Sequence, residues 1–177
     1  MPDDERLQVD VEDGRRYLTR NDERYDVIVL DAFYADSVPF HLTTLEFLQL
    51  VHERLNPGGV VVTNVIGAER GSQSKLLRSM YRTYRAVFPT VAVHPVHTRV
   101  GETPDEVKNV IFVSTDSPAP AKEFLRERWR QVRAKAPRAP DLTKPIADRY
   151  ETFIPTGDVP VLTDDYAPTD ALLLLFG

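Results

Sequence analysis

The chain has 177 residues, of which 42% are hydrophobic and 28% are charged, and this size and composition predict one globular domain with a sizeable core. Its formal net charge of −5 argues against a nucleic-acid partner, because phosphate binding needs a basic surface. The chain has no cysteine, which excludes disulfides, thiol catalysis and cysteine-bound metals.

The sequence also argues against a membrane partner. No apolar run reaches the roughly 18 residues that a membrane span requires. The first residues, Met-Pro-Asp-Asp-Glu-Arg, lack the basic start and the apolar core of a signal peptide. We therefore expect a cytoplasmic protein.

The first elements predicted along the chain are a strand, a short helix and a second strand. Residues 7–11 alternate between apolar and polar side chains, as a short strand does. A turn with Asp13 and Gly14 follows, and residues 15–20 can form a short helix. The apolar run at 27–30 is typical of a buried parallel strand, and it ends at a carboxylate, Asp31.

The next helix and strand have clear boundaries. Thr43 and Glu46 match a capping box at the start of a helix. The breaker residues 56–59 predict its end, and the β-branched run at 60–65 predicts another buried strand. Apolar side chains recur at helical spacing between these limits: Leu45, Leu48, Val51 and Leu55.

The second half of the chain predicts two more helices, a hairpin and a tail. Residues 72–88 form an amphipathic helix, and the strands at 90–97 and 108–115 form an antiparallel pair, since only a loop joins them. Residues 121–136 form a basic helix, and six prolines between 137 and 168 predict an irregular tail. Four side chains of the basic helix are expected to face inward: Phe124, Leu125, Trp129 and Val132.

The order of these elements predicts the fold class and the domain organisation. Alternating strands and helices followed by a hairpin are typical of the second half of a doubly wound α/β domain. We expect this domain to occupy residues 1–136. Residues 137–177 are expected to form a proline-rich tail that packs on the same domain.

Aspartates are the main candidates for chemistry. Asp31 ends a buried strand, at the edge where open α/β sheets bind ligands, and it could accept a proton from an amine or hold a cationic group. It could equally cap the backbone of the loop. Asp36, in the same loop, could complete a cation pocket or simply lie in solvent.

Two further polar groups have both a functional and a structural interpretation. The Asp13 carboxylate could accept hydrogen bonds from an exocyclic amine, while Gly14 permits a tight turn, although Asp-Gly is also common in ordinary β-turns. Asp164, Asp165 and Tyr166 could fold over a site or form a turn pinned by side-chain hydrogen bonds. The four histidines lack metal-ligand spacing, so we expect no metal.

Five segments of the chain match the motifs of a known family in order and spacing. They are Val-Glu-Asp-Gly-Arg at 11–15, Tyr-Asp-Val-Ile-Val-Leu-Asp-Ala-Phe at 25–33, His-Leu-Thr-Thr at 41–44, Leu-Asn-Pro-Gly-Gly at 55–59 and Leu-Thr-Asp-Asp-Tyr-Ala-Pro at 162–168. With these motifs the chain resembles the spermidine synthase (polyamine aminopropyltransferase) family, and in particular its bacterial spermidine synthase-like branch.

The resemblance implies a Rossmann-like fold of the S-adenosylmethionine-dependent methyltransferase type. It implies transfer of an aminopropyl group from decarboxylated S-adenosylmethionine to a diamine such as putrescine. Asp13 and Gly14 would contact the adenine, and Asp31, with Ala32 beside it, would bind the cofactor and deprotonate the attacking amine. The implied substrate-binding residues are Tyr34, Asp36, Asp165 and Tyr166.

Two departures from the family pattern leave alternatives open. The family loop reads Asp-x-x-Asp-Pro, whereas this chain has Tyr34 three residues after Asp31, which puts the identity of the amine in doubt. The glycine-rich cofactor loop of the family has no counterpart before residues 7–11, which would be the third strand of that fold. We therefore expect weak S-adenosyl binding and a homodimer that covers the open sheet edge. The alternatives are an S-adenosylmethionine-dependent methyltransferase and a non-catalytic dimerising domain.

Overall fold

The computed structural model describes residues 5–32, 39–97 and 101–173. Short 3₁₀ helices at Phe40–Leu42 and Ser72–Ser74 precede α2 and α3. The strands and helices of the described part are β1 (Tyr25–Leu30), β2 (Leu55–Gly67), β3 (Thr90–Pro95), β4 (Lys108–Thr115), α1 (Gly14–Arg20), α2 (Leu45–Glu53), α3 (Lys75–Val87), α4 (Lys122–Lys135), α5 (Thr143–Ala147) and α6 (Thr169–Leu173).

The four strands form one mixed sheet in the order β1-β2-β4-β3. β1 and β2 are parallel, with Leu30 level with Thr63, and α2 connects them in a βαβ unit. β4 is antiparallel to both β2 and β3, which confirms the predicted hairpin. The carboxyl ends of β1, β2 and β3 therefore lie at the same edge of the sheet.

The hydrophobic core fills one face of this sheet. Every second residue of β2 from Gly59 to Gly67 is buried, and Val110 and Phe112 of β4 point to the same side. Gly67 is needed because an added Cβ would lie 2.9 Å from the Cβ of Leu77 in α3. Helices α2 and α3 contribute most of the other core side chains: Phe47, Leu48, Val51, Leu76, Leu77, Met80 and Tyr84.

The opposite face is less well covered. The intervening β2 residues, Val60 and Val62, are only half-buried. On β1 the side chains of Val27 and Val29 are 54% and 65% exposed, so the prediction of a buried strand at 27–30 is wrong, because the described residues leave this face of β1 uncovered. In the described part of the chain β1 has one strand neighbour, β2, so its other edge is unpaired. This apolar surface beside an open edge is a candidate for contact with more protein.

Four other local predictions were wrong. Residues 7–11 form no strand, because no neighbouring strand pairs with them, and Val11 is 98% exposed. The helix cap is Thr44, whose hydroxyl accepts from the Phe47 amide, so the capping prediction is wrong by one residue. Leu55 starts β2 instead of ending α2. In α4, Trp129 is buried but Phe124 and Val132 are exposed, because little of the chain packs against this helix.

The segment after α4 contacts the body of the domain through α3. The guanidinium of Arg78 donates to the Asp158 carboxylate, and the Ser79 hydroxyl donates to the Pro160 carbonyl at 2.5 Å. The Leu162 amide donates to the Thr83 hydroxyl at 2.9 Å. No helix of the described residues is long and apolar enough to cross a membrane.

Candidate functional site

Asp31 lies at the carboxyl end of β1, beside the second strand of the parallel pair. Because Leu30 is level with Thr63, Asp31 is level with Asn64. The Asn64 amide donates from Nδ2 to Asp31 Oδ1 at 3.0 Å. Asp31 is an exposed residue. A carboxylate held in this way can accept a proton or bind a cationic group.

A small cavity of about 30 Å³ lies next to this pair. Its volume suits a water molecule and is too small for a drug-sized ligand. Tyr34 and Asp36, the predicted substrate residues of the same loop, lie outside the described residues. The lining residues of the cavity are Leu30, Ala32, Leu42, Thr43, Thr63, Asn64 and Met80.

Asp13 and Gly14 form the start of α1 in place of a β-turn. Asp13 Oδ1 accepts from the Arg16 amide at 3.0 Å, which is the usual role of an aspartate at a helix N-cap. Asp13 Oδ2 lies 2.8 Å from Nε2 of His41. The backbone N–H of Arg16, followed by the His41 side chain, lowers the pKa of Asp13 below its ordinary value. Both oxygens thus have partners within the protein.

Asp164 is the centre of a second polar group. Arg15 donates to both its oxygens, at 2.7 and 2.6 Å, and the Thr44 hydroxyl donates to Oδ1 at 2.7 Å. The Asp164 amide in turn donates to the Glu46 carboxylate at 3.0 Å. The hydrogen bonds from Arg15 are the main cause of the lowered pKa of Asp164. We call Arg15, Thr44, Glu46 and Asp164 the Asp164 network.

The Asp164 network joins three of the five sequence motifs that are distant in the chain. Arg15 also donates to the His41 carbonyl at 3.2 Å, and His41 contacts Asp13. Asp165 and Tyr166 follow Asp164 and are exposed, in a turn closed by a bridge between Thr163 and Tyr166. Among the described residues, no hydrogen bond links this group to Asp31.

Sequence reasoning missed several residues of these two groups. Arg15, His41 and Thr44 lie within the sequence motifs and Asn64 lies within the predicted strand at 60–65, but the sequence assigned a role to none of them. Their positions in the motifs were the available signal. Within the described residues, no three histidines, aspartates or glutamates are close enough to hold a metal ion.

Residues 2–123 match the family model of the spermine/spermidine synthase domain. The chain belongs to this family. Over 175 residues it is 26% identical to a probable polyamine aminopropyl transferase of Bifidobacterium longum, an alignment that covers 94% of this chain and 38% of the relative. The chain therefore spans well under half the length of that relative.

Solved structures show the fold. A probable spermidine synthase from Corynebacterium glutamicum matches with a TM-score of 0.58 at 21% identity, covering 88% of this chain and 57% of that one. Human methyltransferase-like protein 13, solved with SAH, matches with a TM-score of 0.59 at 24% identity, covering 82% and 67%. The predicted Rossmann-like methyltransferase fold is thereby confirmed.

Proposed function

We propose that this chain contains the part of an aminopropyltransferase that binds the acceptor amine, with Asp31 as the base that deprotonates it. The observation that supports this role is the position of Asp31 at the carboxyl end of a parallel strand, held by Asn64, in a chain of the spermine/spermidine synthase family. The proposed reaction transfers an aminopropyl group from decarboxylated S-adenosylmethionine to a diamine such as putrescine.

The chemistry requires a free amine behind the reacting carbon. An ammonium ion has no lone pair, so a nearby carboxylate that binds it and takes a proton generates the nucleophile. The amine nitrogen then forms a bond to the propyl carbon, and the bond from that carbon to sulfur breaks. The sulfonium becomes the neutral thioether of methylthioadenosine. Beyond this proton transfer, the protein has to position the two reactants.

The remaining predicted contacts are part of the proposal. Asp13, Gly14 and Ala32 are assigned to the cofactor, and Tyr34, Asp36, Asp165 and Tyr166 to the substrate. Because both Asp13 oxygens already have protein partners, an adenine amine would compete with the contact to His41. We expect the chain by itself to bind S-adenosyl ligands weakly, and micromolar binding in calorimetry would contradict this.

We also propose that the chain forms a homodimer through the unpaired edge of β1. The exposed Val27 and Val29 beside this edge provide the apolar surface for such a contact. Analytical ultracentrifugation should show a dimer for the native chain and a monomer for Val29→Lys, with Val132→Lys on α4 as the control at another exposed valine. A native monomer with intact secondary structure would contradict the proposal.

The product of the reaction distinguishes the proposed function from a methyltransferase. The full chain would be incubated with decarboxylated S-adenosylmethionine and putrescine, and separately with S-adenosylmethionine and putrescine. Methylthioadenosine in the first mixture supports aminopropyl transfer. S-adenosylhomocysteine in the second favours the methyltransferase alternative, to which the similarity to methyltransferase-like protein 13 lends some support. A folded chain that forms neither product would indicate a non-catalytic domain.

A further inference from the structure

The orientation of the Asn64 amide follows from its contact with Asp31. A carboxylate accepts hydrogen bonds, so the atom of Asn64 that faces Asp31 at 3.0 Å must be Nδ2. This places Oδ1 on the other side of the amide, where it is buried and has no hydrogen-bond partner. Native proteins seldom leave a buried amide oxygen without a donor.

Among the described residues, the sheet neighbours on the same face as Asn64 offer this oxygen no donor side chain. Its neighbours on the same face of β2, Val62 and Ile66, are apolar, and its register partner on β4 is Ile111. The adjacent Thr63 points to the opposite face and bonds to Tyr84. An amide in this apolar setting adds nothing to packing that leucine would not add. An unpaired amide oxygen beside the candidate base therefore favours a role in binding.

We propose that Asn64 is a positioning residue that orients both Asp31 and the acceptor amine, an inference that rests on the proposed function. Nδ2 fixes Asp31 Oδ1 and leaves Oδ2 for the amine, while Oδ1 of Asn64 accepts a second N–H. A primary amine has two N–H bonds and one lone pair. When each N–H has its own acceptor, the lone pair is directed at the carbon to be attacked. The site thus selects primary amines over tertiary amines.

Putrescine binding to the full ¹⁵N-labelled chain, followed by NMR, tests this directly. The side-chain amide signals of Asn64, assigned by their loss in Asn64→Leu, should shift with putrescine concentration. Asn64→Leu should weaken putrescine binding about tenfold, the effect of losing a hydrogen bond to a charged group. Asn64→Gln should recover part of that loss, and the fully N-methylated diamine should not compete.

Asn109→Leu is the matched control, since Asn109 is an exposed asparagine on the neighbouring strand β4. It should leave putrescine affinity unchanged. Asn64→Leu loses the hydrogen bond from Nδ2 to the exposed Asp31 and loses none at Oδ1, so it should lower the unfolding midpoint of the native chain only slightly, whereas a structural role for the whole amide predicts a large loss of stability. Putrescine binding that leaves the Asn64 signals unshifted would overturn the proposal, as would the absence of any putrescine binding.

Catalysis separates this inference from the proposed function. If putrescine binds and shifts the NMR signals of the Asn64 amide but no methylthioadenosine forms, the aminopropyl transfer is refuted and the proposed amine site is supported. If methylthioadenosine forms in the native chain and Asn64→Leu leaves the KM for putrescine unchanged, the function stands and the role of Asn64 is refuted.

Discussion

The salt bridge between Arg15 and Asp164 should contribute measurably to the free energy of unfolding, although it is partly exposed to solvent. Its two N–H···O contacts, at 2.7 and 2.6 Å, have the bidentate geometry that makes such pairs strong. The side chains are 27% and 40% exposed, so solvent screens the attraction. A coupling energy of about 1 kcal/mol is expected, at the upper end of the range for exposed pairs.

A double-mutant cycle measures this coupling. Arg15→Met, Asp164→Asn and the double variant would be unfolded in urea, and the free energies of unfolding compared. Arg130 and Glu127 on α4 provide the control, since they form an ion pair with side chains 75% and 51% exposed. Their coupling should not exceed about 0.5 kcal/mol. A coupling between Arg15 and Asp164 no larger than the control would refute the reasoning.

Three further predictions concern pH and the core. The pKa of Asp164 in the folded chain lies below its ordinary 3.8, so its carboxylate stabilises the fold above that pH and this stabilisation is lost as the pH falls. The native chain and Asp164→Asn should therefore have the same free energy of unfolding in acid and different ones at pH 7. The Ser114 hydroxyl is buried without a partner, so Ser114→Ala should not lower the urea midpoint of unfolding. Thr63→Val, in contrast, leaves the buried Tyr84 hydroxyl unpaired and should lower the free energy of unfolding by about 1–3 kcal/mol. Gly67→Ala should lower the melting temperature, because its Cβ would collide with α3, and an unchanged temperature would contradict the close approach.

Periodicity was enough to predict the elements that carry the core. The apolar stripe of α3 and the β-branched run of β2 each specify one element with one buried face, and the structure places them as expected. The alternation of apolar and polar side chains at residues 7–11 was an equally clear local pattern, but the strand that it predicted does not form. A strand requires a neighbour to pair with, and a local pattern contains no information about whether that neighbour is present.

The two polar groups differed in how far the sequence could predict them. Asp31 was found because a carboxylate after an apolar strand has a defined place in a parallel sheet. The contact between Arg15 and Asp164 joins residues 149 positions apart, so it depends on tertiary packing that no local pattern reveals. The partner of Asp31, Asn64, follows from the register of β1 and β2, which sequence alone left undetermined.

The most direct test of the proposed function compares Asp31, which directly follows β1, with Asp26 within β1. Asp31→Asn and Asp26→Asn would be assayed for methylthioadenosine release from decarboxylated S-adenosylmethionine and putrescine, beside the native chain. Asp26 is exposed and accepts a hydrogen bond from Asn56 at 2.9 Å, so it is a matched control away from the carboxyl edge. The account predicts that Asp31→Asn slows release by about a hundredfold or more and that Asp26→Asn does not. Equal rates for the two variants would contradict it.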